Sequence, residues 1–461
     1  MKLQNLIGDK VFYRRALAIA IPVMIQNTIT SFVSLLDNIM VGQVGTLQMS
    51  GVSIVNSLLL VFNLCIFGAN AGGGIFVAQF HGSGDHTSVR RSHRVKLYTG
   101  TALSALAVLL FLFAGEALIG LYLRGEGDAR DAAQALSFGK EYLAVMLFGL
   151  LPFALTASYA GTLRETEHTA IPMAGGILAV FVNLVLNYVL IFGHFGAPVM
   201  GVKGAALATV ISRYVELAFV AGWAHLNPKK NPFVQGLFRS FYVPKALLGN
   251  IFRKGMPLVL NEFLWSTGLA VIHQSYSTCG LDVVPALNIA NTIFNLANVT
   301  SIAFGNAVAI MMGQLMGSGA KEAVVRDTNR KLMALTVFCG FIVGTLLLCS
   351  SDLFPQLYNT SEDVRHLAGQ MIRIIAIMLP VSCFTLATYF TLRSGGQALI
   401  TFLFDSCYQW VCPVLLSIIL TRFTGITILP LYFICQVVDI IRCFIGAYML
   451  KQGKWINNLT V

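Results

Sequence analysis

The sequence predicts an all-α polytopic membrane protein, with twelve transmembrane helices in two pseudo-symmetric six-helix lobes. Three observations predict it. The chain repeats itself: residues 22 to 91 match residues 257 to 326 at a constant offset of 235. It is 56% hydrophobic and only 11% charged, whereas soluble domains carry about 25% charged residues. Its basic residues also gather on every second connection between apolar runs. A soluble fold of 461 residues cannot hide that much apolar surface, so lipid must act as part of the solvent. A doubled set of membrane helices is how many secondary transporters are built.

The repeat is read residue by residue. Pro22 pairs with Pro257, Ser31 with Ser266, Gly45 with Gly280, Asn56 with Asn291, Asn63 with Asn298 and Gln79 with Gln314. Gly82-Ser83-Gly84 pairs with Gly317-Ser318-Gly319, and Arg91 with Arg326. A second echo is Thr162-Leu163-Arg164 and Thr391-Leu392-Arg393, each about twelve residues after a proline, Pro152 or Pro380.

The spans follow from runs of roughly 20 apolar residues or more. The first half supplies 16–42, 47–80, 96–115, 133–162, 170–193 and 204–226. The second supplies 252–278, 284–316, 332–350, 366–392, 397–421 and 427–450. This predicts an N-terminal lobe over 1–226, a cytoplasmic linker over 227–251 and a C-terminal lobe over 252–461. Six helices per repeat return the chain to its starting side, so the halves are parallel repeats.

Charge sets the orientation. With the N-terminus inside, the inside segments hold 22 of the 31 Lys and Arg residues, Lys2, Arg90, Arg91, Arg94, Lys96 and Arg239 among them. Outside segments hold only Arg124, Arg130, Lys203, Arg365 and Arg422. This positive-inside pattern predicts a multi-pass membrane protein with both termini cytoplasmic, and the lack of a targeting extension is consistent with a prokaryotic plasma (inner) membrane. It also explains most of the net charge of +11 without nucleic acid. The stretch after Met1 to Arg15 is too long for a cleaved signal peptide. The nine cysteines form no CxxC pair and read as small inert side chains.

Catalysis finds no support. The sequence lacks GxxxxGK[ST], HExxH and GxSxG. His81 and Asp85 lie close together, but at the end of a span in a polar turn. No cofactor is implied, and transport driven by an ion gradient is what remains.

Ionisable groups inside spans are costly, so each is a functional candidate. Glu216 follows Arg213 by three residues and Asp439 precedes Arg442 by three, which reads as neutralised pairs on one helix face. Glu141 adjoins Lys140 near an outer end. Asp37, Glu262 and Asp405 have no basic neighbour within one turn. Such a carboxyl can exchange a proton near neutral pH or hold a cation with nearby oxygens, so a Na⁺ site near Asp37 or Glu262 is open. Asparagines stripe three spans: Asn56, Asn63 and Asn70; Asn183 and Asn187; Asn288, Asn291, Asn295 and Asn298. Stripes of this kind line a wet cavity or hold helices together. His273, Gln274, Tyr276, Asn291 and Thr209 are the candidate substrate-binding residues.

At this point the residues resemble the multidrug and toxic compound extrusion (MATE) transporters over nearly the whole chain. The resemblance rests on Leu36-Asp37-Asn38-Ile39-Met40-Val41-Gly42-Gln43-Val44-Gly45, Ala78-Gln79, Gly204-Ala205-Ala206-Leu207-Ala208-Thr209 and Gly313-Gln314 with the paired Gly-Ser-Gly turns. It implies V-shaped paired lobes and export of organic, often cationic, compounds in exchange for H⁺ or Na⁺. The family's first-lobe aspartate matches Asp37. The span-five Asn-x-x-x-Asp pattern of the DinF-like branch matches Asn183 but becomes Asn187 at the acid. Where NorM-like members carry a span-seven glutamate and a span-ten aspartate, this chain has Trp265 and Ser382, with Glu262 three residues before the former. The resemblance therefore implies an ion-responsive cluster of Asp37, Asn183, Asn187 and Thr209, with Glu262 its second-lobe counterpart and Asp405 a helper. The expected partners are small organic molecules and membrane lipid, with the chain acting as a monomer. The alternative is a lipid-linked saccharide flippase of the same superfamily, which would be expected to show more basic residues in its cavity.

Overall fold

The computed structural model describes residues 6–123, 129–280 and 282–460; Lys2 and Arg124, assigned above to inside and outside segments, lie outside the described residues. Among the described residues, twelve helices are long and apolar enough to cross a membrane. They are α1 Lys10–Gly42, α2 Thr46–Gly82, α3 His86–Tyr122, α4 Ala129–Glu165, α5 Ala170–Phe192 and α6 Val202–Leu226. Then come α7 Lys245–Ser277, α8 Val283–Gly317, α9 Glu322–Ser350 and α10 Glu362–Ser394. The last two are α11 Ala398–Phe423 and α12 Ile428–Gln452. No strand occurs among the described residues. The chain is a multi-pass integral membrane protein.

Several helices overrun the apolar runs that announced them. α3 begins at His86 rather than near residue 96 because Asp85 caps it, accepting from Thr87 N at 3.1 Å and Ser88 N at 3.0 Å. Partial burial works against that carboxylate. The bonds from Ser88 and Thr87 and the charge of Arg91 nevertheless hold it below the ordinary aspartate range. Asp85 is thus a helix cap and not part of a catalytic pair with His81.

Five helices carry an internal proline: Pro22 in α1, Pro152 in α4, Pro257 in α7, Pro380 in α10 and Pro413 in α11. The first and fourth helices of each half thus carry one each, and α11 adds one without a counterpart in α5's interior; neighbouring helices can satisfy the freed backbone groups. α11 contains two π-helical stretches, Leu403–Cys407 and Trp410–Val414, a geometry frequent at functional sites. Large apolar side chains such as Phe113, Phe148, Phe338 and Phe444 are exposed, as suits positions that face lipid. The nine cysteines are all unpaired; Cys383 and Cys435 are buried and Cys349 is exposed. Arg94 and Lys96 are buried rather than facing solvent, and Lys96 pairs with Glu165 at 2.5 Å.

By packing, the chain divides into two compact units, Ile25–Val77 with Asp85–Gly255, and Met1–Met24 with Ala78–Gly84 and Met256–Val461. In the first, α4 packs against α3 and α6, and α6 against α5. Val55, Ile66, Ile119, Leu143 and Ala206 centre its core. In the second, α10 packs against α8, α9 and α12. One of its two apolar clusters takes in Ala16, Ile19 and Val23 of α1.

The repeat persists at the level of single dihedrals. Gly45 and Gly280 have φ of +154° and +155°, and Gly84 and Gly319 have +78° and +72°. Inside the second unit the ends of α2 and α8 cross reciprocally. A Cβ on Gly82 would lie 2.0 Å from Gln314 O, and one on Gly317 would lie 1.9 Å from Gln79 O. The side chain of Gln79 is also engaged: its amide donates to Ser394 O at 3.0 Å and Asn457 O at 3.1 Å and accepts from Leu459 N at 2.7 Å. Gly82→Ala and Gly317→Ala should each lower the unfolding temperature in detergent, at a cost of about 1–3 kcal/mol because backbone must move. Two unaltered melting curves would show that the crossing is loose.

Candidate functional site

The first packing unit brings a carboxylate, two carboxamides and a hydroxyl together. Asp37 comes from the second half of α1, Asn183 and Asn187 from one face of α5, and Thr209 from α6. Four-residue spacing stacks the two asparagines on one helix face. Asn187 Nδ2 donates to Asp37 Oδ1 at 2.7 Å. The Asn183 carboxamide, turned with its nitrogen toward the carboxylate, donates to Asp37 Oδ1 at 2.9 Å and Oδ2 at 3.1 Å. In the same orientation it accepts from Thr209 Oγ1 at 3.3 Å. Both asparagines are buried, Asn187 to 2% exposure. Asn187 Oδ1 is buried with no hydrogen-bond partner among the described residues, which is costly unless something else meets it.

Asp37, Asn187 and Thr209 of the cluster stand in the wall of a cavity of about 480 Å³. Asn56 and Asn63 of α2 line it, with Phe62, Tyr142, Phe153 and Arg213. Two members of the α2 asparagine stripe therefore line a cavity, whereas Asn70 turns back to its own helix, donating to Ile66 O at 3.0 Å. Tyr142 Oη donates to Asn56 Oδ1 at 3.3 Å. Arg213 lies over the Phe153 ring at 5.1 Å and pairs with Glu216 at 3.2 Å, the spacing-of-three pair expected from the sequence. A smaller cavity of about 80 Å³ touches Asp37 together with Thr30, Asn183, Ser212 and Glu216. Asp37 thus borders two spaces.

The second packing unit holds the other candidates. Glu262 of α7 accepts from Tyr389 Oη of α10 at 3.1 Å. His273, Tyr276 and Asn291 line a cavity of about 160 Å³ with Trp265, Ser382 and Asp439. Gln274 is exposed and does not line it. Asp405 sits in the first π-helical stretch of α11 and accepts from Asn261 Nδ2 at 2.8 Å. It also pairs with Arg442 of α12. The ion pair of Arg442 therefore falls on Asp405, one helix away, and not on Asp439 within its own helix. Arg442 further donates through Nε to Phe404 O at 3.0 Å and lies 4.8 Å over the Phe404 ring. An aspartate that had no basic neighbour in the linear reading is thus electrically compensated.

Sequence reasoning missed Tyr142 and Arg213 as cavity residues, because Arg213 reads as the neutralised partner of Glu216 and Tyr142 stands in an apolar run with no motif around it. Their signal is positional: each lies on a helix that packs beside the asparagine-bearing face. No group of three or more His, Cys, Asp or Glu suited to a metal ion occurs among the described residues. Around Asp37 the available donors are oxygens: the carboxylate, the Thr209 hydroxyl and the unpartnered Asn187 carbonyl. A hard monovalent cation accepts that donor type, and so does a proton.

Comparison with known proteins is consistent with this architecture. A MatE family model matches residues 22–189 and 257–419, and the two matches start at the paired prolines, Pro22 and Pro257. The chain is similar to a probable multidrug resistance protein, NorM, of Thermotoga maritima, at 25% identity over 448 residues, covering 96% of this chain and 93% of that protein. It is similar to the probable multidrug resistance protein YoeA of Bacillus subtilis at 23% identity, covering 89% and 88% of the two chains. A solved outward-facing multidrug resistance MATE family transporter of the MOP superfamily superposes with a TM-score of 0.86 at 20% identity, covering 98% of this chain and 99% of that one. At that identity the likeness speaks for the fold.

Proposed function

The chain belongs to the MatE family, whose members are transporters and not enzymes, and from that premise we propose that it is a secondary antiporter. It exports organic, often cationic, compounds in exchange for H⁺ or Na⁺ by alternating access. The observation that carries the reading is Asp37, held by Asn183 and Asn187 on the wall of the cavity of about 480 Å³. The aromatic rings of Phe62 and Phe153 in that wall suit flat organic cargo, and the carboxylate suits its positive charge. One acid cannot serve a cationic cargo and a coupling ion fully at once. Arrival of the ion therefore favours release of the cargo, and differential affinity for the two states supplies the shift.

The donor oxygens around Asp37 support Na⁺, and its burial beside amides supports H⁺; Glu262 with Tyr389 is the second candidate coupling site. Asp405 is proposed as structural, since Arg442 already compensates it. His273, Tyr276, Asn291 and Thr209 are proposed to contact cargo, and Gln274, which faces away from the cavity, is the weakest of that set. The remaining proposals are two lobes, 1–226 and 252–461, joined by a cytoplasmic linker at 227–251. A monomer in the plasma membrane, with both termini inside, completes the picture. The lipid-linked saccharide flippase has no comparable support, because Arg213 of the cavity is paired with Glu216.

The test is ethidium efflux from cells expressing the chain, under separately imposed Na⁺ and H⁺ gradients. Efflux should follow one gradient. Glu262→Gln, which can keep the Tyr389 bond but loses the charge, should slow it several-fold. Full efflux from Glu262→Gln would remove that residue from the coupling. Absence of efflux under either gradient would turn the assignment to the flippase or to a cargo narrower than the usual drug panel.

A further inference from the structure

A cavity of about 720 Å³, separate from the Asp37 site, opens between the start of α3 and residues 235–242. Four guanidinium groups line it, from Arg90, Arg91, Arg94 and Arg239, and no carboxylate does. Asp85 is near by in sequence but engaged as the α3 cap. Arg94 builds the wall: buried, it donates to Gly236 O at 2.8 Å, Leu237 O at 2.9 Å and Tyr242 O at 3.2 Å. It thereby pins this segment to α3. The other three are less engaged. Arg90 reaches Pro232 O only at 3.4 Å, and its Nε is buried with no hydrogen-bond partner among the described residues. Arg239 is exposed. Beside the opening, Phe238, Phe241 and Tyr242 are 60%, 72% and 67% exposed, and Tyr98 Oη donates to Phe241 O at 2.8 Å.

We propose that this cavity binds the phosphate of an anionic phospholipid headgroup, gripped by Arg90, Arg91 and Arg239. Four like charges gathered round one cavity, with only Asp85 near by to offset Arg91, repel one another, and a phosphate relieves that repulsion. Planar guanidinium groups match phosphate oxygens in paired hydrogen bonds, better than lysines do. Basic cavities at the ends of membrane helices take anionic headgroups. The neighbouring aromatic side chains choose lipid over free phosphate, because the amphipathic ring of Tyr242 suits the level of the headgroups and the apolar rings of Phe238 and Phe241 suit the headgroup–acyl boundary. The bound headgroup would clamp residues 235–242 onto α3. The inference needs only that the chain sits in a membrane and is independent of the transport reading.

The experiment uses the purified full chain in a neutral detergent and follows thermal unfolding. Phosphatidylglycerol, phosphatidylcholine and inorganic phosphate are titrated separately. Phosphatidylglycerol should raise the unfolding temperature, and the other two should not. In R90Q/R91Q/R239Q, with Arg94 kept, the apparent affinity for phosphatidylglycerol should fall on the order of 100-fold. If that variant does not fold, Arg239→Gln alone, on the exposed wall, should weaken binding about five-fold. Equal stabilisation of the wild type and the arginine variants by phosphatidylglycerol would overturn the proposal. So would a phosphatidylcholine effect of the same size, or an inorganic phosphate effect that matches the lipid.

Discussion

Asp37→Asn should reduce efflux to the level of cells that lack the protein while leaving the folded chain intact. The replacement has nearly the same shape. Its carbonyl can still accept from Asn187 Nδ2, now 2.7 Å from Asp37 Oδ1, so the packing of α1 against α5 persists. What disappears is the negative charge on the wall of the cavity, and with it this site's means of exchanging a cation for cargo. Initial rates of ethidium efflux, with the amount of folded protein at the membrane measured in parallel, decide the matter; undiminished export would take Asp37 out of the mechanism. Asn187→Ala adds a sharper distinction. If Na⁺ is the coupling ion, removing the otherwise unpartnered Asn187 Oδ1 should move the Na⁺ dependence of efflux to concentrations about 10-fold or more higher. An unmoved curve would favour the proton.

Arg442→Met should be the most destabilising single change in the second packing unit. It leaves the Asp405 carboxylate, 13% exposed on its side chain, without its compensating charge. Breaking a buried ion pair by removing one partner costs about 3–5 kcal/mol. Asp405→Leu strands the guanidinium in the same way, although Phe404 O and the Phe404 ring still hold it. The double change D405L/R442M should recover most of the loss, because a buried pair is often replaceable by apolar side chains of similar volume. Thermal unfolding of the four proteins in one detergent measures the coupling, and simple additivity of the two single losses would contradict it. The double variant also asks a functional question. If it folds and exports, Asp405 is structural; if it folds and does not export, the ion pair belongs to the transport cycle.

The helices were legible because lipid imposes a rule that each segment obeys on its own. A span needs an apolar run of sufficient length, and a run is a local property. Where helices extend further, as α3 does, the cause is also local, the Asp85 cap. Asp37, Asn183, Asn187 and Thr209 could be grouped from the resemblance and from the four-residue spacing on α5, and the structure does bring them together. The Asp405–Arg442 pair could not be read. Its members lie on different helices, and Asp439 offered a nearer partner at helical spacing. Nor could hydropathy separate the Asn56 and Asn63 side chains, which face a cavity, from that of Asn70, which returns to its own backbone. The lining of a space depends on how helices rotate against one another, and that is a property of the packed molecule.

The crossing of α2 and α8 limits how the protein can be rebuilt. Gly82 faces the backbone of Gln314 and Gly317 faces that of Gln79, so each copy of the repeat carries the notch into which the other fits. A chimera that joins one half of this chain to the other half of a relative inherits only one side of that arrangement. It should fold only when the donor also presents a glycine at the matching place, however alike the remaining helices are. Two halves that arose as copies, and have since diverged over most of their length, are held at this point to a shared inheritance.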